Sequence, residues 1–73
     1  MASVEELTGA ARIGDAAGEI WQYLNQSGPL SLTTLTKEID IPRDLVMQAV
    51  GWLAREDKIW IDEDRRTKKI GLK

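Results

Sequence analysis

The pattern of this chain predicts a mainly α domain with a small β-hairpin, arranged as a winged helix-turn-helix: a three-helix bundle plus wing. Three observations carry that prediction. Apolar residues recur at helical spacing in three separate stretches between Ile13 and Glu56. After Asp57 the period drops to two: Ile59 and Ile61 alternate with Lys58, Trp60 and Asp62, and Ile70 and Leu72 alternate with Lys69, Gly71 and Lys73. The order helix, short extended link, helix, tight turn, helix, hairpin is that of a winged helix-turn-helix.

The elements follow in turn. Residues 1–12 read as an N-terminal arm, frayed or briefly helical, with Ser3 and Glu6 at capping-box spacing and Gly9 soon after. The domain proper is expected over residues 13–73. Its first helix, Ile13 to Gln26, carries Ile13, Ala17, Ile20 and Leu24 on one stripe with Trp21 at the edge, assigned to the margin of the core. Ser27, Gly28 and Pro29 stop it, Gly28 being placed for a left-handed cap. After an extended link at Leu30 to Leu32, Ser31 caps a short second helix that runs to Ile39. Asp40, Ile41 and Pro42 make a tight turn, because a residue before proline is pushed out of helical geometry. The third helix spans about Arg43 to Glu56, and the hairpin has its tip at Glu63 to Thr67.

Composition removes most catalytic chemistry. The 73 residues include no Cys and no His, so no disulfide, thiolate nucleophile, imidazole base or Cys/His metal site can be built. Glycines 9, 14 and 18 match no phosphate-binding or dinucleotide-binding loop. Asp62, Glu63 and Asp64 lack the glycine and distant glutamate of a calcium loop. The expectation is a non-enzymatic protein without catalytic, cofactor or metal residues. No apolar run suggests a signal or a membrane span, so the cytoplasm is the default compartment. A core this small rarely supplies more than about 3 to 5 kcal/mol, so association with another chain is expected on size alone.

Two segments carry a family resemblance. IGDAAGEIWQYL, from Ile13 to Leu24, and AVGWLAREDKI, from Ala49 to Ile59, resemble a group of small stand-alone winged-helix proteins of bacteria and archaea whose function is uncharacterised. The likeness runs from about Ile13 to Leu72, and GWLAREDKI is its most specific part. It implies the fold and self-association. The wider winged-helix class implies a transcription-linked role on double-stranded DNA, with the third helix in the major groove and the wing on the backbone.

Residues at about 100° intervals place Val46, Ala49, Val50 and Leu53 on the inner face of the third helix. The opposite arc shows Asp44, Met47, Gln48, Gly51, Trp52 and Arg55. Only Gln48 and Arg55 suit contact with a nucleic acid, whereas Asp44 opposes phosphate. Met47, Gly51 and Trp52 form an apolar patch expected to dock a second copy, joined by Trp60 from the outward face of the first hairpin strand. The competing expectation is that Trp52 folds against the hairpin and fills the core. Gly14 and Gly18, beside Trp21 on the first helix, make either a groove for the arm or a partner, or a tight crossing within one chain.

Charge on the wing is divided. Five acids against Lys58 lie from Glu56 to Asp64, and five bases without an acid lie from Arg65 to Lys73. Arg65, Arg66, Lys68 and Lys69 either track a nucleic-acid backbone or pair across the hairpin with Asp62, Glu63 and Asp64. The formal net charge of −2 is contrary to the basic footprint of a nucleic-acid binder. The expected function is therefore a homodimeric regulator that contacts DNA. The alternative is an adaptor that docks another protein through the third helix.

Overall fold

The computed structural model describes the backbone of residues 4–63 and 68–73 and the side chains of residues 9–63 and 68–73. The elements in chain order are α1 (Val4–Ser27), β1 (Leu30–Ser31), α2 (Leu32–Glu38), α3 (Arg43–Arg55), β2 (Ile59–Asp62) and β3 (Lys69–Leu72). Three helices lie on a small antiparallel sheet of order β1-β3-β2. The winged helix-turn-helix architecture expected from the sequence is present.

Helix α1 is longer than the Ile13 to Gln26 stripe, because it continues without a break through residues 4–12. Among the described side chains its buried face starts at Ala16 and continues through Ala17, Ile20 and Leu24. Gly9, Ala10, Ala11 and Arg12 are exposed, so the first turns overhang the domain. Gly28 ends the helix with φ 80°, the left-handed geometry that glycine adopts without a Cβ penalty, and its N–H returns to the Leu24 carbonyl at 2.9 Å.

Ser31 is the N-cap of α2, its Oγ accepting from the Thr34 N–H at 3.0 Å. The link at Leu30 and Ser31 is also a strand, with Leu30 opposite Ile70 and Ser31 opposite Lys69. The Leu32 N–H donates to the Lys68 carbonyl at 2.8 Å and ties the start of α2 to the base of the wing. Helix α3 buries Val46, Ala49, Val50 and Leu53, the face its periodicity predicts, mainly against α1.

The chain leaves α3 through a reversal centred on Asp57. Its N–H donates to the Ala54 carbonyl and the Lys58 N–H to the Leu53 carbonyl, both at 3.0 Å. That pair is a Schellman motif, and Asp57 occupies the left-handed position, φ 62°, where glycine is usual. Strands β2 and β3 then pair with Ile59 opposite Leu72, Trp60 opposite Gly71, Ile61 opposite Ile70 and Asp62 opposite Lys69. Ile59 and Ile70 join Ile20, Leu24, Leu35 and Val46 in one core, and each such side chain removed from water contributes roughly 1.5 to 3 kcal/mol.

Candidate functional site

Two grooves flank the outward stripe of α3, and they divide the residues that the sequence groups together. Asp44, Gln48, Gly51 and Arg55 stand along the middle of the stripe, all exposed. Trp52 lies on the flank towards α1, and Met47 on the flank towards α2 and the wing. They are about 140° apart around the helix axis, so they do not share one patch.

The groove on the α1 side has a volume of about 670 Å³ and is walled by Gly14, Gly18 and Trp21 of α1 and by Trp52 and Glu56 at the end of α3. Trp21 and Trp52 are 39% and 38% exposed, among the large apolar side chains most open to solvent. The sequence reading of Trp21 at the core margin gives way to a groove wall, because its position on the wheel lies beyond the stripe that α3 covers. Trp52 does not fill the core. The far end of the groove is ionic: Lys73 pairs with Asp57, and Lys58 Nζ lies 3.6 Å from Glu56 Oε1. A Cβ placed on Gly14, Gly18 or Gly51 would meet nothing within 4 Å. No close crossing inside the chain therefore accounts for these glycines.

The second groove is smaller, about 190 Å³, and lies where α2, α3 and the wing converge. Leu32, Thr33, Thr36, Arg43, Met47 and Lys68 line it. Thr36 donates its hydroxyl proton to the Thr33 carbonyl at 2.8 Å. Neither Arg43 nor Lys68 has an ion-pair partner among the described residues. Two cations thus line one cleft together with Thr33 and Thr36, an arrangement suited to a phosphate oxygen.

The winged helix-turn-helix domain model (DUF2582) matches residues 8–72. The chain belongs to that family. An uncharacterized protein of Methanocaldococcus jannaschii is 38% identical over 65 residues, covering 85% of this chain and 91% of that protein. The match begins at residue 8, upstream of the Ile13 boundary of the resemblance drawn from sequence, and so includes part of the α1 overhang.

Within this family member the remaining candidates are dispersed. Trp60 is half-buried on the outer face of the hairpin, packs on Gly71 and does not line the groove that holds Trp52. Gln48 and Arg55 point outward from α3, and Lys68 and Lys69 are exposed at the base of the wing. Lys69 stands directly across the ladder from Asp62. Arg65 and Arg66 lie outside the described residues. Arg43, Thr33 and Thr36 were not singled out from sequence. The available signal was that Arg43 opens α3 on the same flank as Met47, but only the fold brings Lys68 to it.

Elsewhere the polar chemistry is structural. Tyr23 Oη donates to Glu38 Oε1 at 3.0 Å, joining α1 to α2. That hydrogen bond, then partial burial, then the Glu38 charge hold the phenol above its usual value near 10. Among the described residues no helix is long and apolar enough to cross a membrane, and no acidic cluster is arranged to hold a metal ion.

Proposed function

We propose that the protein is a non-enzymatic, cytoplasmic homodimer that binds double-stranded DNA in a transcription-linked regulatory role, gripping phosphate rather than reading bases. The observation that carries this is the pair Arg43 and Lys68, without ion-pair partners among the described residues, on the cleft between α2, α3 and the wing. Gln48 and Arg55 extend the contact along α3, and Lys69 with Arg65 and Arg66 extends it along the wing. With Asp44 on the outward stripe and a net charge of −2, base-specific contacts are few and affinity rests on the backbone. Pairing of two copies doubles the cationic contacts. It is supported by the open Trp21 and Trp52 groove, since exposed apolar surface of this kind marks an interaction site.

Gel retardation of duplex DNA across salt concentrations tests the DNA contact. Log K is expected to fall with log salt at a slope of about −0.9 per phosphate neutralised, and Arg43→Ala with Lys68→Ala makes the slope shallower by about 2. Trp52→Glu should sediment as a folded monomer and bind DNA more weakly. No retardation at low salt would remove the DNA role.

A protein adaptor is the second reading, and one observation favours it. Gly51 is exposed in the middle of the α3 stripe with open space above it and Asp44 on the same stripe. A partner backbone could approach there closely, and a phosphate backbone would be repelled.

A further inference from the structure

The groove between α1 and α3 has a wall of Gly14, Gly18, Trp21 and Trp52, and the first turns of α1 overhang the domain. We propose that two copies pair by antiparallel packing of α1 against α1 of the partner subunit, with the two-fold axis at Gly14. The overhang of each helix then lies in the Trp21 and Trp52 groove of the other. The proposal rests on the homodimer reading above and names its contact surface.

Helical spacing supplies the first argument. Ala11, Gly14, Gly18 and Trp21 follow one another at intervals of three, four and three, a seam without a charged residue, beside the core stripe of α1. The seam begins on the overhang and ends in the groove. A two-fold axis at Gly14 sets Ala10 against Gly18 of the partner subunit and Ala11 between Gly14 and Gly18 of the partner subunit. The overhang from residue 4 to the axis and the stretch from the axis to Gln22 are both roughly 12 to 15 Å long at 1.5 Å per residue. The surface is thus complementary to itself, as a two-fold interface requires.

Openness supplies the second. Gly9 to Arg12 are all exposed, and a helix end with little tertiary packing is marginal in water. Gly14 and Gly18 are equally unexplained within one copy, because a Cβ at either has open space. Close approach of a second helix backbone accounts for both.

Area supplies the third. The chain exposes 5207 Å², where a compact monomer of its mass is expected to expose roughly 4,500 Å². The exposed Gly9 to Arg12 turns contribute to that excess.

Sedimentation of the full chain, with two variants, tests the pairing. The wild-type chain is expected to sediment as a dimer. Gly14→Leu should raise the dimer dissociation constant by about thirtyfold or more while leaving a folded monomer with a cooperative unfolding transition, since within one copy the new side chain enters open space. Gly14→Cys, in a chain with no cysteine, should form a disulfide-linked dimer on mild oxidation, whereas Thr33→Cys on the far side should not. A wild-type dimer that survives Gly14→Leu, with no cross-link from Gly14→Cys, overturns the α1 pairing and leaves the homodimer reading standing. A wild-type monomer at all concentrations overturns both, and the groove then belongs to a different occupant.

Discussion

The indole of Trp60 occupies the space that a side chain on Gly71 would need. The two residues are direct partners across the β2–β3 ladder, and a Cβ on Gly71 would come within 2.5 Å of Trp60 Cζ2 and 2.7 Å of Cε2. An aromatic ring laid over a strand glycine replaces the packing that the glycine lacks, and it holds the register of the hairpin. Trp60 is thereby occupied by its own wing.

Gly71→Ala should accordingly destabilise the fold by about 1 to 3 kcal/mol, the usual cost of overpacking. Urea denaturation followed by far-UV circular dichroism measures it. The double variant with Trp60→Ala should lose less than the sum of the two single losses, because the second change removes the ring that the first one strikes. Strict additivity would show that the two side chains are not coupled.

Asp57 predicts a second backbone effect. It holds the left-handed position of the Schellman turn between α3 and β2 and pairs with Lys73. Asp57→Val puts a β-branched residue there and should cost about 1 to 2 kcal/mol. Lys73→Ala, which removes only an exposed ion pair, should cost no more than about 1 kcal/mol. Equal losses in the two variants, read from thermal unfolding, would mean that the backbone conformation is not the larger effect.

Removing the α2 cap should be felt in the whole domain. Ser31 Oγ accepts from the Thr34 N–H and donates to Thr34 Oγ1 at 2.8 Å. Ser31→Ala should cost about 1 kcal/mol, and Ser31→Asp, which keeps the acceptor, should recover most of it. The midpoint of chemical denaturation reports both.

The single tyrosine gives a titration free of overlap from other phenols. Absorbance near 295 nm should show Tyr23 ionising above 10, and Glu38→Gln should bring it down towards the ordinary value. The folded state holds the phenolic proton more tightly than the unfolded chain does. The contribution of the Tyr23 bond to stability is therefore complete below pH 10 and is lost as pH rises through the folded-state value. A titration at the ordinary value in the folded protein would show that the bond to Glu38 is absent in solution.

Local signals were enough for most of the element boundaries. Gly28 and Pro42 mark helix ends whatever the tertiary context, because left-handed geometry and the missing proline N–H are properties of those residues themselves. The change of period after Asp57 likewise located the hairpin. Strand β1 was legible only as an extended link, since two residues have no period, and its pairing depends on the free edge of β3. The overhang of α1 was read as a short arm because its sequence lacks a buried stripe, although the backbone remains helical.

What the chain by itself determined was the list of elements, their amphipathic faces and the absence of thiol and imidazole chemistry. What only the tertiary structure decided was which outward residues meet. Helical periodicity gives each side chain an angle about its own axis and says nothing about the neighbouring axis. Lys68 was therefore brought to Arg43, and Gly14 to Trp52, by packing between distant segments.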